Sequence, residues 1–270
     1  MVAGKEDVVR TVSIDAMHHF HNRGYHANNV HLILVGDLPD NVGEMVQRYF
    51  ADKSIGDGKP FNFPAVPPLE TRTILHTSAP DLRSRNDLLE GGNASISLGV
   101  IVPPDTHPDV YALMVMTELL GGGTDTSLLY TEISRQRGLA YRISSSYAGA
   151  NNVGMVEVDA SVDAPRWDEA VQQIFNTFQR LQNDLIPAQM FERLRKRLLF
   201  TFADYNERNS DRGRIIERTI ETGVAPEERY TSLAAVTPEA VREAAQKYLP
   251  EDRDGNYVLL VRDPLKREGV

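Results

Sequence analysis

The 270-residue chain has no cysteine and a single tryptophan. Without cysteine there are no disulfides and no thiolate metal sites, so the fold must rest on an apolar core. Long hydrophobic runs are missing as well. No stretch approaches the ~18 consecutive apolar residues of a membrane-spanning helix. The opening MVAGKEDVVR lacks the apolar centre of a secretory signal. Compartment stays open between periplasm and cytoplasm. Positive charge is in deficit: 29 Lys and Arg against 38 Asp and Glu give a net −9, which leaves no basic footprint for nucleic acid. What is present is ordinary for a globular protein, 41% hydrophobic and 25% charged. The length suffices for one large domain or two smaller ones.

The chain is organised around residues 121–146, GGGTDTSLLYTEISRQRGLAYRISSS. Three glycines end an apolar helix, because glycine takes the left-handed conformations a sharp stop requires. Leu129 and Ile133 stand at i and i+4, so 128–137 is expected as a short amphipathic helix. From Ala140 the period changes to two, which puts Tyr141, Ile143, Ser145 and Tyr147 on one face of a strand. Read from periodicity alone, Tyr141 is a core tyrosine with a satisfied hydroxyl.

Elsewhere, residues 12–25 read as a helix capped by Ser13, 31–35 as a short strand and 41–50 as a second amphipathic helix. Gly56, Gly58, Pro60, Pro64, Pro67 and Pro68 interrupt 51–70, a linker signal. Residues 73–77 suit an edge strand, and 94–102 alternate through Ile96, Leu98, Val100 and Val102. Pro103 and Pro104 stop that strand, Thr106 is the expected cap, and a helix follows to about residue 120. The strand from Tyr141 turns at 149–152 and returns as 155–162. There Val156, Val158, Ala160 and Val162 point inward while Glu157, Asp159 and Ser161 face water. Apolar stripes mark further helices through Trp167 to Leu181, Met190 to Phe202 and Ile215 to Ile220.

Segment 236–263 repeats the plan of 12–37. Val12, Ser13, Asp15, Ala16 and Met17 match Val236, Thr237, Glu239, Ala240 and Val241, and HLILVGD matches YVLLVRD after a two-residue insertion. A capped helix leading to an apolar strand, found twice, implies two domains of one design, the first represented by its end alone.

The glycine-rich turn, the short helix and the Gly138-Leu139-Ala140-Tyr141 corner together resemble the second, non-metal half of the M16 zinc peptidases. That is the family of pitrilysin, insulinase and mitochondrial processing peptidase. Gly121, Gly122, Gly123, Leu129, Tyr130, Glu132 and Ile133 also match, and the resemblance runs over nearly the whole chain. It implies an α+β fold, a mainly antiparallel sheet flanked by helices, in duplicated domains. Residues 1–65 would be the C-terminal fragment of a first M16-like domain, 66–77 a linker, and 78–270 the second, inactive domain. The resemblance gives Tyr141 a catalytic role, its hydroxyl donating to the scissile carbonyl as that oxygen becomes an oxyanion. It gives Arg135, Arg137 and Gly138 a substrate-binding role at the same corner. The family arginine lies seven residues before the tyrosine; Ser134 stands there and cannot supply the charge.

The family's His-x-x-Glu-His metal motif is absent. The resemblance therefore implies no cofactor on this chain and zinc in the other half, on the same parent polypeptide or a partner subunit. His18, His19, His21, His26 and His31 form a cluster, and His18 and His21 share a helix face at i and i+3, but they read as packing or surface residues. The expected partners are a peptide or protein substrate and a metal-binding M16 half, with no nucleic acid, and a homodimer left open. Two functions of different class follow. One is the C-terminal, substrate-binding half of an M16 zinc endopeptidase, inactive alone. The other is a non-catalytic M16-like subunit that binds peptides or scaffolds an active partner. A soluble α/β domain without any peptidase connection is the third reading.

Overall fold

Strand alternation decides the architecture. The computed structural model describes residues 6–25, 29–50, 71–78, 92–122, 126–150, 152–204 and 207–265. Its strands are β1 (Thr73–Ser78), β2 (Asn93–Val102), β3 (Ala140–Gly149), β4 (Gly154–Asp163) and β5 (Val258–Asp263). They form one sheet in the order β1-β5-β2-β4-β3, parallel between β1 and β5 and antiparallel elsewhere. Ala94, Ile96, Leu98, Val100 and Val102 of β2 and Val156, Val158, Ala160 and Val162 of β4 are buried on one face, as their alternation predicts. Ser95, Ser97, Glu157, Asp159 and Ser161 occupy the other face, which is partly to fully exposed.

The helices are α1 (Glu6–Thr11), α2 (Ile14–Gly24), α3 (Val42–Phe50), α4 (Val110–Gly121), α5 (Trp167–Asn183), α6 (Ala188–Asp204), α7 (Asn209–Thr222), α8 (Pro226–Ala234) and α9 (Pro238–Tyr248). Helices α4, α5 and α9 supply the other half of the core through Leu113, Met116, Leu120, Ile174, Phe175, Phe178, Val241 and Ala245. The expected cap Thr106 is not the one used. The N-cap of α4 is Asp109, and its side chain makes no capping bond. Its carboxylate instead accepts from Lys247 Nζ at 2.8 Å and from the Tyr248 hydroxyl. These bonds hold the Asp109 carboxyl below its ordinary range.

The chain divides into two units, Met1–Ala65 with Glu207–Glu217, and Val66–Asn206 with Arg218–Val270. In the first, no described residue of α1, α2 or α3 is buried. The strand expected at 31–35 is not formed there. A strand needs a ladder partner, and none is available to it among the described residues. The interruption at 51–70, His26 and Gly123 lie outside the described residues.

Both copies of the repeat start alike. Ser13 Oγ accepts from the Ala16 amide at 3.1 Å, and Thr237 Oγ1 accepts from the Ala240 amide at 3.2 Å. Their packing then diverges: Met17 is 52% exposed, whereas its counterpart Val241 is fully buried.

The β3–β4 hairpin is pinned near its turn. Tyr147 donates to the Pro103 carbonyl at 3.0 Å, and a side chain on Gly154 would strike the same carbonyl. Burial, reinforced by the nearby Asp105 carboxylate, pushes the Tyr147 phenol up to about 12. Between pH ~10 and ~12 the folded chain keeps this proton while the unfolded chain has lost it, so stability falls as pH rises through that window. Urea midpoints of the chain are expected to decline over that range more steeply than those of Tyr147→Phe.

Candidate active site

The corner is built by a helix that winds too wide. Residues 128–129 are helical, and Tyr130–Arg135 continue as a π turn in which the Gln136 amide reaches the Thr131 carbonyl at 3.0 Å. The helix expected at 128–137 is thus present with altered winding. Leu129 and Ile133 are buried, as their spacing predicts. Glu132 fixes the turn to α5 by accepting from Thr177 Oγ1 at 3.1 Å and from Arg180.

Gly138 ends the turn at φ +61°. Its amide bonds the Ser134 carbonyl at 2.9 Å, and the Leu139 amide bonds the Ile133 carbonyl at 3.0 Å. This nested pair is a left-handed helix cap, widened by one residue because the preceding turn is π-wound. Leu139 then drops into the core beside Ile133.

A β-bulge follows. Ala140 pairs with Val162 and Arg142 with Ser161, so Tyr141 has no partner across the ladder. The expected placement of Tyr141 on the face of Ile143 is corrected by this extra residue. Ala140 and Ile143 are buried while Tyr141 and Arg142, between them, are both exposed. Tyr141 is 86% exposed, which excludes a core tyrosine. Beyond the bulge alternation resumes, and Ser145 Oγ donates to the Thr117 carbonyl of α4 at 2.7 Å.

The glycines before the corner allow α4 to approach that closely. A Cβ on Gly121 would lie 2.8 Å from Ser145 Oγ and 2.9 Å from the Ser144 carbonyl carbon. One on Gly122 would meet the Glu118 carboxyl group. Glu118 is paired with Arg197, and its carboxyl is raised because burial outweighs that partner.

The other predicted site residues are dispersed around the corner. Arg137 Nε donates to Gln173 Oε1 of α5 at 3.1 Å. Arg135 is exposed and makes no hydrogen bond or ion pair with the described residues. Ser134 Oγ, at the position of the family arginine, is enclosed without a hydrogen-bond partner. Arg142 was not foreseen. Strict alternation would send it to the face opposite Tyr141, and periodicity carries no signal of a bulge.

Among the described residues no group of three or more His, Cys, Asp and Glu could hold a metal ion. The histidines of α2 are exposed, and His21 stacks on Tyr25 with ring centroids 4.9 Å apart. No described helix is long and apolar enough to cross a membrane.

The chain as a whole is matched by known proteins. Residues 11–198 fit the family profile of the Peptidase M16 inactive domain. The chain belongs to the M16 peptidase family, as its inactive, C-terminal type of domain. It is 21% identical to an uncharacterized zinc protease of Bacillus subtilis over 97% of this chain and 61% of that one. An uncharacterized zinc protease of Streptomyces coelicolor is 26% identical over 59% of this chain and 34% of its own length. Among solved structures, a protease from Helicobacter pylori superposes with a TM-score of 0.81 at 18% identity, covering 97% of this chain and 62% of that one. A peptidase M16 inactive domain from Pseudomonas fluorescens gives 0.80 at 18% identity over 97% and 60%. The chain thus spans about three-fifths or less of these relatives.

Two glycine substitutions test the construction of the corner. Gly121→Ala overpacks the α4–β3 contact and is expected to cost about 1–3 kcal/mol. Gly138→Ala forces alanine into the left-handed region at about 1–2 kcal/mol. Thermal unfolding followed by circular dichroism checks both, and an unchanged Tm in either would contradict the assigned constraint.

Proposed function

We propose that this chain is the substrate-binding half of an M16 zinc endopeptidase, working with a metal-binding half on the same polypeptide or on a partner subunit. The reading rests on one observation, the bulge that lifts Tyr141 out of the core and into solvent. From there its hydroxyl donates a hydrogen bond to the carbonyl oxygen of an extended peptide. That bond strengthens as the oxygen gains negative charge, which is the condition for lowering a barrier rather than only tightening binding. Gly138 fixes the approach of the strand, and Arg135 and Arg137 border the same corner. No step is assigned to metal on this chain; the metal chemistry of the assembly is placed in the other half.

In the active assembly Tyr141→Phe is expected to lower kcat on the order of 10²–10³ while binding of intact peptide changes little. The Tm should stay within a degree, since the side chain is exposed. Unaltered kcat would instead support the second reading, a non-catalytic peptide-binding or scaffolding subunit. Ser134 at the family arginine position favours that alternative.

We also propose that the first unit is the end of an M16-like domain whose sheet is completed by another segment. Its α2 and 31–35 stretch match elements of the second copy that are buried, yet no described residue of either is buried here. Hydrogen exchange on the isolated chain should find the amides of 31–35 unprotected and those of Val258–Asp263 protected. Equal protection would count against an incomplete first unit.

A further inference from the structure

We infer that Arg142 supplies the cationic contact to substrate that Ser134 cannot, acting beside Tyr141 as a substrate-binding residue; this rests on the reading of Tyr141 just proposed. Two consecutive exposed residues between two buried ones put Tyr141 and Arg142 on the same, exposed side of the sheet. Both belong to the irregularity at which a strand re-aims its side chains. Arg142 is exposed and makes no hydrogen bond or ion pair with the described residues, so its five donors are available.

The other two arginines are placed differently. Arg137 spends its Nε on Gln173, a residue of the helix that covers the buried face of the sheet. Arg135 sits in the π turn on the far side of the Gly138 cap, separated from Tyr141 by the buried Leu139 and Ala140. The register extends the surface around Arg142: its cross-strand partner on β4 is Ser161, and Ser161 faces Ser95 on β2. Small hydroxyl side chains there leave room for an extended chain to lie across the strands. An extended polypeptide offers backbone carbonyls at strand spacing, so one carbonyl meets the Tyr141 hydroxyl and a neighbouring one meets the guanidinium. The two residues thereby divide their work. Arg142 holds the peptide in the ground state, and Tyr141 acts on the oxygen that develops charge.

The test uses the assembly of this chain with its metal-binding half. With metal removed by chelator, the affinity of an intact substrate peptide is measured for single variants. Arg142→Ala should weaken binding about 10- to 100-fold, the range for a lost hydrogen bond to a charged group. Arg142→Lys should restore part of it. In the metal-loaded assembly Arg142→Ala should raise KM more than it lowers kcat, the reverse of Tyr141→Phe. Tm is read alongside and should not move, since Arg142 is exposed. Unchanged affinity and KM in Arg142→Ala overturn the assignment, as does a larger loss in Arg135→Ala or Arg137→Ala. A metal-loaded assembly without peptidase activity would instead defeat the proposed function, while the metal-free affinities still judge Arg142.

Discussion

One hydrogen bond, from the Leu139 amide to the Ile133 carbonyl, sets the course of the chain through its candidate site. It closes a π-wound turn over Gly138, whose left-handed φ of +61° lets the backbone reverse. A Cβ at Gly138 would have open space around it, so the demand for glycine there is conformational. At Gly121 the demand is steric, because α4 and β3 would collide. Two glycines of one motif thus answer different physical requirements. With Leu139 anchored in the core, Ala140 pairs with Val162 and the next residue is one too many for the ladder. That surplus residue is the tyrosine.

Much of the second unit was legible because its signals are periodic and local. Alternation in 94–102 and 155–162 identified both the strands and the face they bury. Ser13 and Thr237 announced their helices through a side-chain oxygen that accepts an amide three residues on. What escaped was whatever depends on counting across strands or on distant partners. The Tyr141 bulge leaves no mark in hydropathy, since Tyr141, Ile143 and Ser145 alternate in sequence as if the ladder were regular. The missing ladder at 31–35 is similar: HLILVGD has the composition of a strand, but a strand is a property of two segments. Thr106 is not the cap because α4 begins only at Val110, directly after Asp109, whose carboxylate is engaged by Lys247 and Tyr248 instead of the helix amides. The site residues named from family resemblance sit around one corner, yet only geometry separates Arg137, tethered to Gln173, from Arg142.

The sheet's asymmetry gives the corner its setting. Helices cover one face, and the other carries hydroxyls and carboxylates in register, with Ser144 opposite Asp159 and Ser146 opposite Glu157. Ser97 donates to Asp159, and partial burial with Asp159 nearby raises the Glu157 carboxyl. Such a surface is too polar in its middle rows to serve as a second core.

The uncovered side chains of the first unit have a consequence for the life of the protein in a cell. Ile14, Met17, Phe20, Tyr49 and Phe50 each expose about half or more of their surface to water. Chaperones and quality-control proteases select clients by the same feature, unburied aliphatic and aromatic groups. Such side chains, while uncovered, are therefore expected to draw retention or removal, and whatever covers them lengthens the life of the chain.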